Sequence, residues 1–295
     1  MALLWATSYP LGRYLASYEA PQAIVAVRAL VAFAFLMMVA CSRSEARIKF
    51  SPGLISQLIV LGICSLCLHN FLLFEALEHT QAQTGAVING AIPAVVVLFD
   101  YLIFRRSLRS WSVVGVGVSF VGTSVVITHG ELANLLTATL GYGESLFIVG
   151  VFAWAVYTIL ARPLLERYPA SIVTAYSCLA GGVLMLPWVF GNLDLSRVLL
   201  SDPRVVGLLA LQGFLSIGVG FLWYYEGVQQ LGALKAAVYI NLVPVFGVSL
   251  SILTIGEIPD LPVIIGGSLV IGGLLLVNRM ERRRHSKDPQ FPDTV

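Results

Sequence analysis

The chain has 295 residues, of which 58% are hydrophobic and only 12% are charged, and its formal net charge is +2. Soluble domains contain about 25% charged residues, so this composition excludes a protein made mainly of soluble domains. The expected surroundings are a lipid bilayer, and no nucleic-acid partner is expected.

Apolar segments of membrane-spanning length follow one another along the chain. A helix needs about 20 mostly apolar residues to cross a bilayer, and short polar connections separate the segments. We therefore predict an all-α membrane protein with ten transmembrane helices. They are expected at residues 2–17, 21–41, 54–77, 83–104, 110–128, 143–161, 170–190, 205–228, 233–255 and 261–279.

Basic residues are concentrated in alternate connections. The connections after helices 2, 4 and 6 and the C-terminal tail carry most of the Arg and Lys side chains, whereas those after helices 3, 5 and 9 carry none. By the positive-inside rule, both termini are expected in the cytoplasm. The polar residues 280–295 are expected to form a disordered cytoplasmic tail.

Two parts of the chain resemble each other. Residues 73–93 align with residues 224–244 at an offset of 151, and the matched residues are not only apolar ones. We therefore predict two five-helix repeats, at 1–130 and 141–279. Because five is odd, the second repeat is inverted, which is a transporter architecture with a central substrate site and alternating access. The matched pairs are Glu75 with Glu226, Pro93 with Pro244, Gly115 with Gly266 and Gly122 with Gly273.

Helix 1 departs from the repeat. An offset of 149 aligns Trp5 with Trp154, but only four residues precede Trp5. Helix 1 is thus about two turns shorter than helix 6. We expect either a start further upstream or an unusually short helix 1.

Pro93 and Pro244 interrupt predicted helices 4 and 9 about halfway. Proline removes one helical hydrogen bond and clashes with the carbonyl four residues earlier. Freed backbone inside a membrane is tolerated where it lines a cavity or finds another partner. The duplicated prolines are therefore interpreted as a cavity or hinge feature, with a simple packing kink as the alternative.

Aromatic and amide side chains supply the candidate substrate site. Aromatic walls suit an apolar or aromatic substrate, although an interfacial belt is the alternative. Embedded amides can hold the carboxylate or ammonium of a zwitterion, or they can tie helices together. The substrate-binding candidates are Trp5, Tyr9, Asn70, Phe74, His79, Asn89, Trp154, Tyr157, Tyr224, Tyr239 and Asn241.

Titratable groups within the predicted helices are few, and such groups are functional candidates. His69 can titrate near neutral pH, and Glu75 and Glu226 are repeat mates, so these three are candidates for proton coupling. A structural histidine and snorkelling glutamates are the alternatives. Arg28 and Lys235 are the deepest cations, and two are too few to favour phosphorylated substrates.

No metal or cofactor is expected. Cys64 and Cys67 form a C-x-x-C within an apolar helix and have no second ligand pair nearby. Gly115 and Gly117 do not follow a strand, which fails the context of a dinucleotide site. These glycines are better explained by close helix packing.

Residues 223–278 carry a recognisable pattern, which includes Gly232–Ala233, the stretch Asn241-Leu-Val-Pro244 and the pair Gly256–Glu257. With it the chain resembles EamA-type members of the drug/metabolite transporter superfamily over about 270 residues. The first half departs from the pattern, because Arg105–Arg106 replaces the Gly–Glu pair. The resemblance implies an exporter of small metabolites, most similar to bacterial aromatic amino-acid exporters. The expected location is the bacterial inner membrane, and the expected oligomeric state is a monomer.

Two other functions compete with this one. Efflux of cationic or lipophilic drugs would be supported by a deep carboxylate, and none is convincing. An intramembrane hydrolase would use Ser119 as nucleophile with His129 or His69 as base. An enzymatic function would not explain an inverted duplication, so no enzymatic activity is expected.

Overall fold

The computed structural model describes residues 1–45, 48–104, 110–130, 141–231, 236 and 239–287. Side chains at 100, 104, 110–112, 195, 196, 198, 231, 241, 274 and 277–287 lie outside this description. Within the described ranges, all regular elements are helical. The α-helices are α1 (Ala2–Ala6), α2 (Ser8–Leu15), α3 (Pro21–Ser42), α4 (Pro52–Gly62), α5 (Phe71–His79), α6 (Ala82–Asn89), α7 (Ile92–Phe104), α8 (Ser110–Ile127), α9 (Tyr142–Leu165), α10 (Ala170–Gly191), α11 (Leu193–Ser201), α12 (Pro203–Gln212), α13 (Gly220–Leu231), α14 (Leu242–Ile255) and α15 (Leu261–Lys287).

Six helical spans among the described residues are long and apolar enough to cross a membrane. Shorter apolar helices cover 113–127, 242–255 and 261–273. The expectation of an all-helical membrane protein is confirmed, while the number of ten crossings stays a prediction. The six spans are Pro21–Ser42, Pro52–His79, Ala82–Ile103, Tyr142–Leu165, Ala170–Gly191 and Pro203–Gln230.

The first expected helix is two short helices, α1 and α2, joined at Thr7. Pro10 has no backbone N–H to donate to the carbonyl of Ala6, so the helical ladder is interrupted where α1 ends. A second difference is α11, which the sequence reading treated as a connection. Its Leu199 is fully buried against the core, which explains why this polar segment is helical.

Two of the long spans contain a π-helical stretch near their middle. Residues Ile63–Asn70 form the first stretch, between α4 and α5, and Gly213–Val219 form the second, between α12 and α13. The two stretches begin 150 residues apart, close to the offset of the sequence repeat. Wider π turns inside α-helices occur frequently at functional sites.

Pro93 lies near the middle of the span Ala82–Ile103, as expected, but both repeat prolines lie in the first turn of a helix. Both were expected about halfway through a helix, but Pro93 is the second residue of α7 and Pro244 the third residue of α14. The helix is interrupted between α6 and α7, and a 3₁₀ turn at Tyr239–Asn241 precedes α14. Proline is well tolerated in a first helical turn because the N–H that it lacks would have no intrahelical acceptor there. The prolines therefore start new helices instead of kinking continuous ones.

The glycines of the repeat meet each other where α8 packs against α15. A Cβ atom added to Gly122 would lie 2.6 Å from the carbonyl oxygen of Gly266, and one added to Gly273 would lie 2.4 Å from that of Gly115. The lower-numbered glycine of α8 thus faces the higher-numbered glycine of α15, so the helices are antiparallel. Only glycine allows backbones to approach this closely.

Helices α3 and α10 form a second antiparallel pair. Ala29 lies beside Gly182, and the ring of Phe33 lies 6.0 Å from that of Tyr176. A glycine from each π-containing span packs against one of these helices. Gly62 lies against the backbone of Ser177 on α10, and Gly213 lies against the backbone of Arg28 on α3.

Candidate functional site

A small cavity of about 40 Å³ lies between the N-terminal half of the chain, up to Gly130, and the C-terminal half, from Gly141. The N-terminal half contributes side chains of α1, α2, α5, α6, α7 and the first π stretch. The C-terminal half contributes side chains of α9, α13, α14, the second π stretch and the 3₁₀ turn. The lining residues are Trp5, Ser8, Tyr9, His69, Asn70, Leu73, Asn89, Ile92, Trp154, Ser216, Phe221, Ile240 and Val243.

Aromatic rings from both halves surround one side of the cavity. The ring of Trp5 lies 5.3 Å from Trp154 and 5.3 Å from Tyr224, both edge to face. Phe221 completes the contact, at 5.0 Å from Trp154. Edge-to-face pairs at these separations stabilise each other by about 0.5–1.5 kcal/mol beyond area burial. The rings therefore form a preorganised apolar wall; Tyr157 lies behind it, 5.1 Å from Trp154.

The two tryptophans of this wall differ in their polar edges. The indole of Trp5 donates to the carbonyl oxygen of Ser216 at 3.0 Å, which fixes α1 against the second π stretch. The indole N–H of Trp154 is buried and has no partner among the described protein atoms. Since Trp154 lines the cavity, its N–H can serve a bound molecule.

His69 is held in place by contacts on two sides. Its Nδ1 lies 2.9 Å from the carbonyl oxygen of Gly150, and because a carbonyl oxygen only accepts, Nδ1 is the donor. Its ring also lies 4.7 Å from Trp154. These contacts suit a positioning residue of the aromatic wall.

Among the described residues, Arg28 is the largest fully buried side chain, with 1% of its surface exposed. One terminal nitrogen donates to Ser8 Oγ at 3.1 Å and to Gln212 Oε1 at 2.9 Å, and the other donates to Asn70 Oδ1 at 3.4 Å. The guanidinium carbon lies 4.6 Å from the ring centre of Phe74, in cation–π contact. Ser8 and Asn70 line the cavity, so the cation lies directly behind these polar side chains.

The structure brings most of the predicted substrate residues together. Trp5, Tyr9, Asn70, Asn89 and Trp154 line the cavity, together with His69. Two further predicted residues contact the lining tryptophans, Tyr157 at Trp154 and Tyr224 at Trp5, and Phe74 contacts Arg28 next to the lining.

Other predicted residues lie elsewhere. His79 is exposed at the end of α5, where its Nε2 lies 3.8 Å from Glu75. The Glu226 carboxylate, near the end of the span Pro203–Gln230, accepts from Arg43, which lies just beyond the span Pro21–Ser42. This hydrogen bond raises the pKa of Arg43. The side chain of Asn241 lies outside the described part of the chain.

Tyr239 lines a second, larger cavity of about 370 Å³. This cavity lies between the N-terminus, α13 and α14, and Tyr239 is 53% exposed there. Tyr224 belongs to the wall of this cavity and also contacts Trp5 of the central one. The aromatic wall thus separates the two spaces.

The proposed hydrolase residues do not form a catalytic pair. Ser119 Oγ donates to the carbonyl oxygens of Gly115 at 3.1 Å and Val270 at 3.3 Å, within the packing of α8 against α15. His129 faces Asp260 at 3.9 Å, and His69 faces Gly150.

The four cysteines are free thiols. Among the described residues, a cluster of possible metal ligands occurs at the end of α5, where atoms of Glu75, Glu78 and His79 lie within 4.8 Å of one another. Glu75 and His79 are already neighbours through their ion pair, so this cluster is explained without an ion.

Ser8, Gln212 and Ser216 were not predicted as site residues, and Arg28 was considered only as an embedded cation. The available signal was the cost of burying a guanidinium, which requires polar partners nearby. Gln212 is 184 residues from Arg28, so only the folded chain identifies it as that partner.

Comparisons with known proteins agree with a membrane protein of this architecture. A model of the EamA-like transporter family matches residues 1–128 and 141–279. "Uncharacterized transporter YyaM" of Bacillus subtilis is 27% identical over 93% of this chain and 90% of its own length. "Uncharacterized inner membrane transporter YicL" of Salmonella typhimurium is 28% identical over 96% of this chain and 94% of its own.

Two further similarities are weaker in sequence. A "Probable terminal-alkyne amino-acid exporter" of Streptantibioticus cattleyicolor is 24% identical over 72% of this chain and 69% of its own length. A solved structure described as "Crystal structure of protein" has a TM-score of 0.61 and 20% identity, and covers 96% of this chain and 98% of its own. The latter shows a shared fold.

Proposed function

Because the chain belongs to the EamA-like transporter family and is therefore a membrane transporter of small molecules, we propose that it exports aromatic and other large apolar amino acids. The observation that carries this proposal is the aromatic wall of the central cavity. Trp5, Trp154, Phe221 and Tyr224 present apolar ring surface, and the two halves of the chain each supply part of it. Such surface binds an apolar side chain by stacking and area burial.

The cavity lining also includes polar side chains, which suit the two charges of an amino acid. Ser8, Asn70 and Asn89 are among them. An amide supplies both a donor and an acceptor, so it can bind an ammonium or a carboxylate. A cavity lined by both aromatic rings and polar side chains suits the chemistry of an amino acid with a large apolar side chain. One relative of this chain is named as an amino-acid exporter, which supports the same class of cargo.

The proposed architecture consists of ten transmembrane helices in two inverted repeats, at 1–130 and 141–279, with both termini in the cytoplasm of a bacterial cell and residues 280–295 as a tail. Three observations support the repeats. The family model matches two separate stretches, each long π-containing span begins with a proline 151 residues from the other, and the paired glycines of α8 and α15 contact each other antiparallel.

Alternating access would require the cavity to change size. A cavity of about 40 Å³ accommodates only a few water molecules, far less than an indole ring. The wall must therefore open to admit cargo. We propose that the helix starts at Pro93 and Pro244 act as hinges, because both follow interruptions in the helical hydrogen bonding next to lining residues.

A counterflow experiment tests this function. Purified protein in liposomes preloaded with unlabelled tryptophan should accumulate labelled tryptophan, with a sugar phosphate and a cationic dye run alongside. Trp154→Ala should raise the tryptophan concentration for half-maximal counterflow by about tenfold or more, since one stacking face is lost. Trp188→Ala is the matched control, because Trp188 is 56% exposed on α10.

The outcomes separate the candidate cargoes. Tryptophan flux that only Trp154→Ala weakens supports the proposal. Flux of the dye without tryptophan would replace amino-acid export by drug efflux. Equal effects of both substitutions would show that the aromatic wall is not part of the binding site.

A further inference from the structure

We propose that Arg28 binds the carboxylate of the transported molecule, and that the carboxylate takes over hydrogen bonds that Arg28 makes to Gln212 and Ser8. This inference rests on the proposed amino-acid transport and assigns its charge selectivity to one residue. It predicts that the cargo must be an acid or a zwitterion, and that an aromatic amine is a poor substrate.

The first argument concerns charge. A guanidinium stays protonated in proteins, and taking an ion out of water costs several kcal/mol unless an opposite charge compensates it. The hydrogen-bond partners of Arg28 are a hydroxyl and two amides, all neutral. Its Nε is buried without a partner in the described structure. A carboxylate would supply the missing negative charge and accept from two donors at once.

The second argument concerns access. Ser8 and Asn70, which accept from Arg28, both line the central cavity. A carboxylate entering the cavity therefore meets atoms in direct contact with the guanidinium. A shift of one side chain, or a rotation of the Ser8 hydroxyl, brings cation and anion together.

The third argument compares the two halves. Gly213 packs against the backbone of Arg28 just as Gly62 packs against the backbone of Ser177, so Ser177 occupies the corresponding position on α10. Ser177 is fully buried and donates to the carbonyl oxygen of Val173 within its own helix. A small side chain is sufficient for this packing position. The guanidinium on α3 is therefore an addition that packing alone does not require.

The fourth argument concerns the position of the network between the halves. Arg28 and Ser8 belong to the N-terminal half, whereas Gln212 and Ser216 belong to the C-terminal half. Gln212 accepts from Arg28 and also donates to Thr7, and Ser8 lies 3.3 Å from Ser216. A carboxylate that replaces Gln212 on Arg28 removes a bond between the halves. Binding of cargo would thus loosen the contact that has to break when the cavity opens.

The network also lies at both π stretches. Asn70 is the last residue of the first stretch, and Gln212 is the residue directly before the second. Extra residues in a helical turn leave room for local rearrangement. The partners of Arg28 are therefore placed where the helices can adjust.

The test uses the full chain in proteoliposomes and follows counterflow of labelled tryptophan. Unlabelled competitors are tryptophan, tryptamine without the carboxylate, and indole-3-propionate without the ammonium. The wild-type chain should accept tryptophan and indole-3-propionate, and tryptamine should compete about 10- to 100-fold more weakly than tryptophan, as expected for a lost hydrogen bond to a charged group.

Variants then assign this preference to Arg28. In Arg28→Gln, tryptophan should compete only as weakly as tryptamine does, and the competition by tryptamine should be the same as in the wild-type chain. Arg28→Lys keeps the charge and should retain part of the preference. Arg204→Gln removes an exposed cation at the start of α12 and should behave like the wild type; size-exclusion profiles of all variants monitor folding.

The outcomes distinguish this inference from the proposed function. If the wild-type chain counterflows the cationic dye but no indole compound, the amino-acid function fails first, and the inference falls with it. If the wild-type chain carries tryptophan yet tryptamine competes equally well, only the inference is overturned. A preference that survives intact in Arg28→Gln overturns it as well.

Discussion

The packing of α8 against α15 gives a sharp test of the close glycine contacts. Alanine at Gly122 would place a Cβ atom 2.6 Å from the carbonyl oxygen of Gly266 and 2.8 Å from the backbone nitrogen of Val270. Both neighbours are backbone atoms, which cannot turn aside as a flexible side chain can. The helices must therefore separate, and overpacking of this kind costs about 1–3 kcal/mol.

The same helix offers a matched control at Gly117. An added Cβ there has no neighbour within 4 Å, and alanine is favoured over glycine in a helix interior by about 1 kcal/mol. Gly117→Ala should therefore be neutral or stabilising. The gain in helix propensity is common to both alanine variants, so they should differ by the overpacking cost alone, about 1–3 kcal/mol in the free energy of unfolding.

The measurement is unfolding of the purified variants in detergent, followed by loss of the monodisperse peak on heating or in denaturant. Gly273→Ala should repeat the loss seen for Gly122→Ala, because its Cβ would lie 2.4 Å from the carbonyl oxygen of Gly115. Equal stability of the variants at Gly122 and Gly117 would refute the close approach of the two backbones.

Two further substitutions test the polar contacts. Gln212→Met removes an acceptor of Arg28 and should tighten tryptophan binding about threefold to tenfold, while the binding of tryptamine should not change. Competition in counterflow measures both affinities. Weaker binding of both compounds would instead indicate that Gln212 contacts the cargo. Glu226→Gln removes a partly exposed ion pair with Arg43 and should lower the free energy of unfolding by less than about 1 kcal/mol, a difference that should shrink in high salt; a larger, salt-independent loss would contradict this reading.

The helices could be predicted because an apolar run of membrane-spanning length leaves the backbone little choice but a helix. The bounds of α3 and α10 agree with the predicted segments within a residue or two for this reason. The π stretches left no such trace, since they differ from an α-helix only in which carbonyl each N–H reaches. Pro93 and Pro244 were expected inside continuous helices, whereas each lies in the first turn of a helix, because the sequence does not distinguish a kinked helix from a newly started one.

The site was partly predictable for a similar reason. Trp5 and Trp154 could be paired by the repeat, and both line the cavity. Tyr239 has the same chemistry as Tyr9 but lines the larger cavity instead of the central one, because the direction of a side chain depends on how its helix is rotated in the bundle. The partners of Arg28 come from three separate segments, and only packing brings them together.

The reciprocal glycine contacts have a consequence for the construction of the molecule. Gly122 contacts Gly266, and the corresponding residues Gly273 and Gly115 contact each other in the same way. Equivalent surfaces of α8 and α15 therefore face each other. Such self-complementarity defines an isologous interface between identical subunits. In the proposed architecture, the two halves would therefore be related as the protomers of a homodimer fused into one polypeptide. Each retains a face suited to a copy of itself in the opposite orientation, which makes separately expressed halves candidates for reassembly in the membrane.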